Sequence, residues 1–125
     1  MLVEEEGSSM AHTVRVMPIL PGKENEARIF SDELLKERRN ETDAFYARYG
    51  CHGESWSLQE TPMGLIGIVC TDIDDLVTRL ESFGQSKHPF DAWFRSRIRD
   101  ITGLDLTQPM QGDPSAEQIF EWRPD

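Results

Sequence analysis

Three residues at alternate positions of one segment are of types that could carry chemistry. His52, Glu54 and Trp56 are two residues apart, so in a strand their side chains share one face. An imidazole and a carboxylate on one face can hold a metal or transfer a proton, with His88 as the natural third ligand. The alternative is structural: Trp56 fills the core beneath helices, while His52 and Glu54 lie at the edge of the sheet. We predict neither a metal nor a cofactor.

His88 is the one candidate for a catalytic residue. It precedes Pro89, which is favoured at the first position of a helix, so its ring nitrogen can cap that helix. The same ring could instead stand at the mouth of a pocket, where it would titrate near neutral pH and Asp91 could orient it. Asp91 could also pair with Arg95, four residues further on. Both roles of His88 stay open at this point.

Arg15 is a charged residue in the middle of a predicted strand. We expect it on the face of the sheet that a second copy of the chain would cover. A buried arginine there needs a carboxylate, supplied either by a side chain such as Glu121 or by an anionic ligand.

Two functions from different classes are compatible with these residues. The first is a small-molecule site, either for binding or for cofactor-independent catalysis, in a pocket between sheet and helices. Its expected lining residues are Arg15, Tyr46, Trp56, His88 and Trp93. The second, which we favour, is a cytoplasmic homodimer without demonstrable catalysis, an interaction or stress-related module whose aromatic residues are core.

The elements that must position these residues follow from hydrophobic periodicity. Alternation predicts strands, and apolar residues at helical spacing predict helices. The predicted segments are a strand over 11–19, one long helix over 23–49 with a break near Asn40 as the alternative, strands over 51–60 and 65–71, helices over 73–83 and from Pro89 to Gly103, and a last strand over 117–122. This order is the split βαβ pattern of ferredoxin-like folds, an antiparallel sheet with helices on one face.

The two central strands are predicted to form a hairpin around Pro62-Met63-Gly64. A three-residue loop with glycine in the left-handed position would place Thr61 opposite Leu65. In that register Trp56 shares an apolar face with Ile66, Ile68 and Cys70. The other face, together with Met17, Val69 and Ile119, would then be left open, and we expect the sheet of a second copy to cover it.

Composition bounds the possible partners. The chain has 125 residues with 13 Lys+Arg and 23 Asp+Glu, a net charge of −10, which disfavours nucleic-acid binding. No apolar run approaches the ~20 residues that span a membrane. We expect residues 1–10 to be a flexible leader without a secretion signal and 11–125 to be a single domain. Cys51 and Cys70 match no metal or redox spacing and are expected to be reduced thiols in the cytoplasm.

Two segments carry a resemblance to a known family. His52–Gln59, HGESWSLQ, and Ser86–Arg95, SKHPFDAWFR, resemble an uncharacterised family of small bacterial proteins. That family is similar to the dimeric α+β barrel superfamily. The resemblance implies a ferredoxin-like βαββαβ domain with a four-stranded antiparallel sheet and an extra helix, paired face to face with a second copy. It implies no chemistry, because the resembled family has no established activity. The motifs of the haem-degrading enzymes and of the monooxygenases of the wider superfamily are also not found.

Overall fold

The computed structural model describes residues 12–125, which form an α+β arrangement of three strands and four helices. In chain order these are β1 (His12–Pro18), α1 (Glu24–Leu35), α2 (Arg39–Arg48), β2 (Gly53–Thr61), β3 (Gly64–Asp72), α3 (Leu76–Gln85) and α4 (Pro89–Thr102). The predicted leader, residues 1–10, lies outside the described residues. None of the four helices is long and apolar enough to cross a membrane.

The described sheet has three antiparallel strands in the order β1–β3–β2, so the predicted four-stranded sheet is wrong. The expected last strand, residues 117–122, is irregular, and a single backbone hydrogen bond, from Ala116 N–H to Val14 C=O, links its start to β1. The observed order of elements is βααββαα. The predicted ferredoxin-like βαββαβ order is therefore wrong, and so is the α+β barrel built from two such sheets. Alternation in a sequence shows that a segment suits a strand, but only tertiary contacts provide the neighbouring edge.

The register of the hairpin also differs from the prediction. Thr61 pairs with Gly64, so the loop has two residues, and Gly64 itself takes a φ of 115° that favours glycine. Every pairing therefore moves by one position, and Trp56 lies opposite Val69 instead of Cys70. Because side chains alternate along a strand, this one-residue change exchanges the faces of β3.

The inner face of the sheet, toward the helices, consequently holds residues that we expected on the open face. Arg15 pairs with Val69, which in turn pairs with Trp56, and all three lie on the inner face. Val69 is buried, and Met17 is half-buried on the same side. The expected open face of Met17, Val69 and Ile119 is therefore wrong.

The predicted helix over 23–49 is two helices, α1 and α2. The break falls at 36–38, slightly before the Asn40 of our alternative prediction. Leu34 and Phe45, one from each helix, are both buried in the same core. Apolar residues on both sides of the polar stretch at 36–38 thus contribute to one core.

The ends of α4 are those that the sequence predicts. His88 is the N-cap, and its Nδ1 accepts a hydrogen bond from the Phe90 N–H at 3.1 Å. Gly103, with a φ of 81°, ends the helix in the left-handed conformation. By contrast, α3 begins three residues later than predicted, at Leu76 instead of Ile73, because the preceding Asp75 has a φ of 57° and Asp72 still pairs in β3.

Aromatic rings form the centre of the core between the helices and the inner face of the sheet. Phe45 and Phe94 stack with centroids 4.7 Å apart, and Phe30 contacts Phe94 edge-on at 5.1 Å. Trp56 extends the cluster from the sheet, with its ring 5.5 Å from that of Phe30. Contacts between these rings stabilise the fold beyond the energy gained by burying each ring. They also connect helix α2 and strand β2, which both contribute to the site described below.

Candidate functional site

A cavity of about 130 Å³ lies between the inner face of the sheet and the helices. Its lining is mostly apolar and includes Met17, Phe30, Leu58, Val69 and Leu76. Polar side chains on its wall include those of Arg15, Tyr46, Cys51, Glu54 and Thr71, and the exposed Arg79 also borders it. An apolar cavity with a few convergent polar groups is the usual form of a small-molecule site.

The carboxylate of Glu54 is the centre of the polar wall. Its Oε2 accepts hydrogen bonds from the Tyr46 hydroxyl at 2.7 Å and from Trp56 Nε1 at 2.8 Å. Its Oε1 accepts one from Thr71 Oγ1 at 2.8 Å and lies 3.6 Å from Nη2 of Arg15. Three hydrogen-bond donors and a neighbouring guanidinium around two oxygens use most of the capacity of a carboxylate to accept hydrogen bonds.

Strand register explains why these groups meet. Glu54 on β2 pairs directly with Thr71 on β3, and Arg15 on β1 lies one row away on the same face. Tyr46 comes from α2, and the chain reverses after it at Gly50, whose φ of 64° suits glycine. That tight reversal carries the chain into β2 and places the Tyr46 hydroxyl next to Glu54, eight residues later.

Arg15 is buried, with 9% of its surface exposed, and is only partly satisfied. Its Nη2 donates to Thr71 Oγ1 at 3.1 Å, and Glu54 supplies the opposite charge. Among the described residues its Nε–H has no hydrogen-bond partner. The expected partner Glu121 is wrong, since that carboxylate pairs with Arg123, and Arg15 faces the helices and not a second copy.

Burial keeps two further groups of the wall neutral. Burial, followed by the adjacent Glu54 carboxylate, raises the pKa of Tyr46 far above its ordinary value. Burial also raises the pKa of the Cys51 thiol. At neutral pH the buried charges facing the cavity are therefore those of Arg15 and Glu54, which are adjacent and opposite in sign, while the exposed Arg79 adds a positive charge at its border.

Three of the five residues predicted to line a ligand site meet at the cavity: Arg15, Tyr46 and Trp56. His88 and Trp93 are not part of its lining. His88 is exposed at the start of α4, where its ring caps the helix. Trp93 is half-buried beside Phe30, with the guanidinium of Arg38 3.9 Å from its ring centroid.

Glu54 is the functional residue that the sequence prediction misplaced, since we expected it at the edge of the sheet. Its position two residues before Trp56 was the available signal, because alternate residues in a strand share a face. The register that brings Arg15 and Thr71 to it was not available from the sequence.

A second buried cluster is centred on Asp91, which is fully buried. It accepts hydrogen bonds from Arg48 and from the Tyr49 hydroxyl. Burial opposes ionisation, but the donors, led by Tyr49, hold the pKa of Asp91 below its usual value. The expected pair with Arg95 is wrong, because that guanidinium donates to the carbonyls of Phe83 and Ser86. The cluster joins the end of α2 to α4 and does not orient the ring of His88.

Comparisons with known proteins do not add an identity to this geometry. Neither a scan against models of protein families nor a search of curated proteins finds a match. The family resemblance carried by the two sequence segments therefore stays a prediction. Within residues 12–125, no three His, Cys, Asp or Glu side chains are grouped closely enough to hold a metal ion.

Proposed function

We propose that the protein binds a small, uncharged and mostly apolar molecule in the cavity between sheet and helices, without a chemical step. One observation carries the proposal: a buried arginine on the wall of an apolar cavity has an Nε–H without a hydrogen-bond partner among the described residues. Leaving such a donor unsatisfied costs about 1–3 kcal/mol. A ligand with one acceptor atom, such as a carbonyl oxygen, would recover that energy.

The volume of the cavity bounds the size of the ligand. At about 130 Å³ it is similar to the engineered protein cavity of about 150 Å³ that binds benzene. A molecule of one aromatic ring, or an aliphatic molecule of similar volume, fits this space. The surrounding phenylalanine, leucine and methionine side chains favour such a ligand through apolar contact.

The buried charge pair of the wall favours a neutral ligand beside it. The carboxylate of Glu54 already lies 3.6 Å from the guanidinium of Arg15, so the pair has no net charge. An anionic ligand would bring a second negative charge close to Glu54 inside an apolar cavity, which is costly. A neutral acceptor atom paired with the Nε–H of Arg15, which has no partner among the described residues, would avoid that cost.

The state of the polar groups supports binding without catalysis. The raised pKa values of Tyr46 and Cys51 keep both groups protonated at neutral pH, which removes them as nucleophiles or bases. Glu54 already accepts hydrogen bonds from three side chains. His88, our candidate for catalysis, caps a helix away from the cavity. We place this binding in the cytoplasm, where the free thiols of Cys51 and Cys70 would stay reduced.

Three probes of similar size separate the contributions to binding. Acetophenone offers a ring and a carbonyl acceptor, ethylbenzene offers the ring without the acceptor, and benzoate carries a negative charge. Isothermal titration calorimetry and thermal-shift measurements should rank acetophenone first and benzoate last. One recovered hydrogen bond of about 1 kcal/mol corresponds to roughly five-fold tighter binding of acetophenone than of ethylbenzene.

Variants assign this preference to the wall of the cavity. The double variant Arg15→Met with Glu54→Gln removes both charges, and we expect it to bind acetophenone and ethylbenzene equally. The matched control, His88→Asn, retains a capping side chain and should bind all three probes like the wild type. The proposal fails if no probe binds, if benzoate binds most tightly, or if His88→Asn abolishes the preference for acetophenone.

A further inference from the structure

One charged side chain lies on the face of α3 that lines the cavity. This helix contributes Leu76, Leu80 and Phe83 to the lining, together with Arg79. Positions 76, 79, 80 and 83 have the spacing that places side chains on one face of a helix. A basic residue in this otherwise apolar stripe brings a positive charge to the border of the cavity.

Arg79 marks a side on which the cavity is open to solvent. The cavity is not fully enclosed, and two of the described residues that line it are exposed, Ser57 and Arg79. Ser57 is adjacent in β2 to the inward-facing Trp56, so its side chain is directed to the other side of the sheet. Arg79 is therefore the exposed residue of this lining on the helix side, where a bound molecule can extend into solvent.

The guanidinium of Arg79 has no acidic partner within residues 12–125. Of the 13 Lys and Arg side chains, ten form ion pairs with Asp or Glu. Arg95 donates to two backbone carbonyls, which leaves Arg79 and Lys87. Lys87 is not part of the cavity lining. In a chain of net charge −10, the arginine at the border of the cavity is thus an exception to the general pairing of basic residues.

Glycine at position 50 provides space for this guanidinium. A Cβ at Gly50 would lie 3.3 Å from Nη2 and 3.6 Å from Cζ of Arg79. The next residue, Cys51, lines the cavity. The charged end of Arg79 therefore lies against the turn that precedes β2, beside the cavity, and does not extend away from the protein.

We propose that the cavity also accepts longer molecules, whose apolar end is enclosed while a carboxylate at the other end pairs with Arg79 at the border. The inference rests on the proposed binding function, because the enclosed end occupies the same cavity. It adds a second ligand class, monocarboxylates with an apolar ring and a short flexible linker. The linker keeps the negative charge away from Glu54, beside which a second buried anion is costly.

Charge favours a carboxylate over a phosphate at this position. The planar guanidinium of an arginine matches the two oxygens of a carboxylate. One arginine compensates one negative charge, whereas a phosphate monoester carries nearly two at neutral pH. Asp74 and Asp75 precede Arg79 by five and four positions, and the whole chain is acidic, so a dianion is repelled more than a monoanion.

A series of phenyl-substituted acids tests where the charge must lie. Benzoate, phenylacetate, 3-phenylpropionate and 4-phenylbutyrate share one ring, and the carboxylate moves away from it by one methylene group at each step. Isothermal titration calorimetry should find benzoate the weakest and a longer member the tightest, because only a linker places the carboxylate at Arg79 while the ring stays enclosed.

The neutral primary amide of each acid isolates the contribution of the charge. The best acid should bind about two- to five-fold more tightly than its amide, which is the range of an exposed ion pair. The preference should disappear at ~1 M NaCl, where the Debye length is only ~3 Å. Both measurements use the wild-type chain alone.

Two substitutions that each remove one positive charge assign the preference to a residue. Arg79→Gln should bind the best acid and its amide equally well. Lys87→Gln changes the net charge by the same amount outside the cavity lining, so it should retain the wild-type ratio of the two Kd values. Far-UV circular dichroism and urea unfolding check that both variants are folded.

Ethylbenzene separates a failure of this inference from a failure of the proposed function. If ethylbenzene binds but no acid binds more tightly than its amide, the carboxylate site at Arg79 is overturned and the binding function of the cavity stands. A preference that survives in Arg79→Gln, or is lost in Lys87→Gln, overturns the site as well. If neither ethylbenzene nor any acid binds, both proposals fail.

Discussion

Replacing Arg15 by methionine removes the positive charge beside the Glu54 carboxylate, which has little contact with solvent to stabilise its charge instead. The side chain of Glu54 is 12% exposed, and the guanidinium of Arg15 lies 3.6 Å from it. Removing one partner of a buried ion pair typically costs about 3–5 kcal/mol, because the other charge stays in a poorly solvated place. Three hydrogen bonds from Tyr46, Trp56 and Thr71 still stabilise the carboxylate, so we expect a loss near the lower limit, about 3 kcal/mol.

A second substitution separates the effect of charge from that of packing. In the double variant Arg15→Met with Glu54→Gln, no uncompensated charge remains, and the amide oxygen can still accept hydrogen bonds. We expect the double variant to be destabilised by only about 1 kcal/mol, so that Glu54→Gln recovers about 2 kcal/mol when Arg15 is already methionine. The coupling energy between the two positions exceeds this value by the cost of Glu54→Gln alone. Urea unfolding, followed by circular dichroism at pH 7, measures all three variants and the wild type.

The surface provides the matched control for this cycle. Arg28 pairs with Glu24 at 2.9 Å, but both side chains are about half exposed or more. Arg28→Met should therefore change the free energy of unfolding by less than about 0.5 kcal/mol. If Arg15→Met costs no more than this control, or if Glu54→Gln does not restore stability, the buried charge pair is not what holds the polar wall together.

Three further predictions concern other parts of the molecule. Hydrogen bonds hold the pKa of Asp91 below its value in the unfolded chain. Its contribution to stability is therefore present above about pH 4 and is lost as the pH falls further. Acid unfolding of Asp91→Asn should not show this loss. Gly84→Ala should destabilise the chain by about 2 kcal/mol or more in urea unfolding, because a Cβ there would clash with the carbonyl oxygen of Leu106. The exposed thiol of Cys70 should react with a thiol reagent faster than that of Cys51, whose pKa burial raises; equal rates over pH 7–9 would contradict this.

Local signals in the sequence were sufficient for several elements. The start of α4 depends on Pro89 and on the capping ring of His88, and its end depends on Gly103, so all three signals act within a few residues. The strands β1, β2 and β3 follow from alternation within each segment. The aromatic candidates Tyr46 and Trp56 were also identifiable, because a large ring on an apolar stripe or a strand face belongs to the core.

Contacts between distant segments could not be predicted in the same way. Residues 117–122 have the alternation of a strand, but whether they pair depends on the edge of β1, more than ninety positions earlier. The break between α1 and α2 contains neither glycine nor proline. Leu34 and Phe45, on either side of it, are buried in the same core, an arrangement that the local sequence does not encode.

The candidate site shows which features depend on local sequence and which depend on contacts between distant segments. The sequence by itself determined that Arg15, Glu54 and Trp56 lie in strands, and that Glu54 and Trp56 share a face. Only the tertiary structure decided that Arg15 joins them, because a hairpin loop of two residues instead of three moves every pairing of β2 with β3 by one position. Since side chains alternate with a period of two, that single step determines which residues of β3 face the helices, and with them which carboxylate the buried arginine meets.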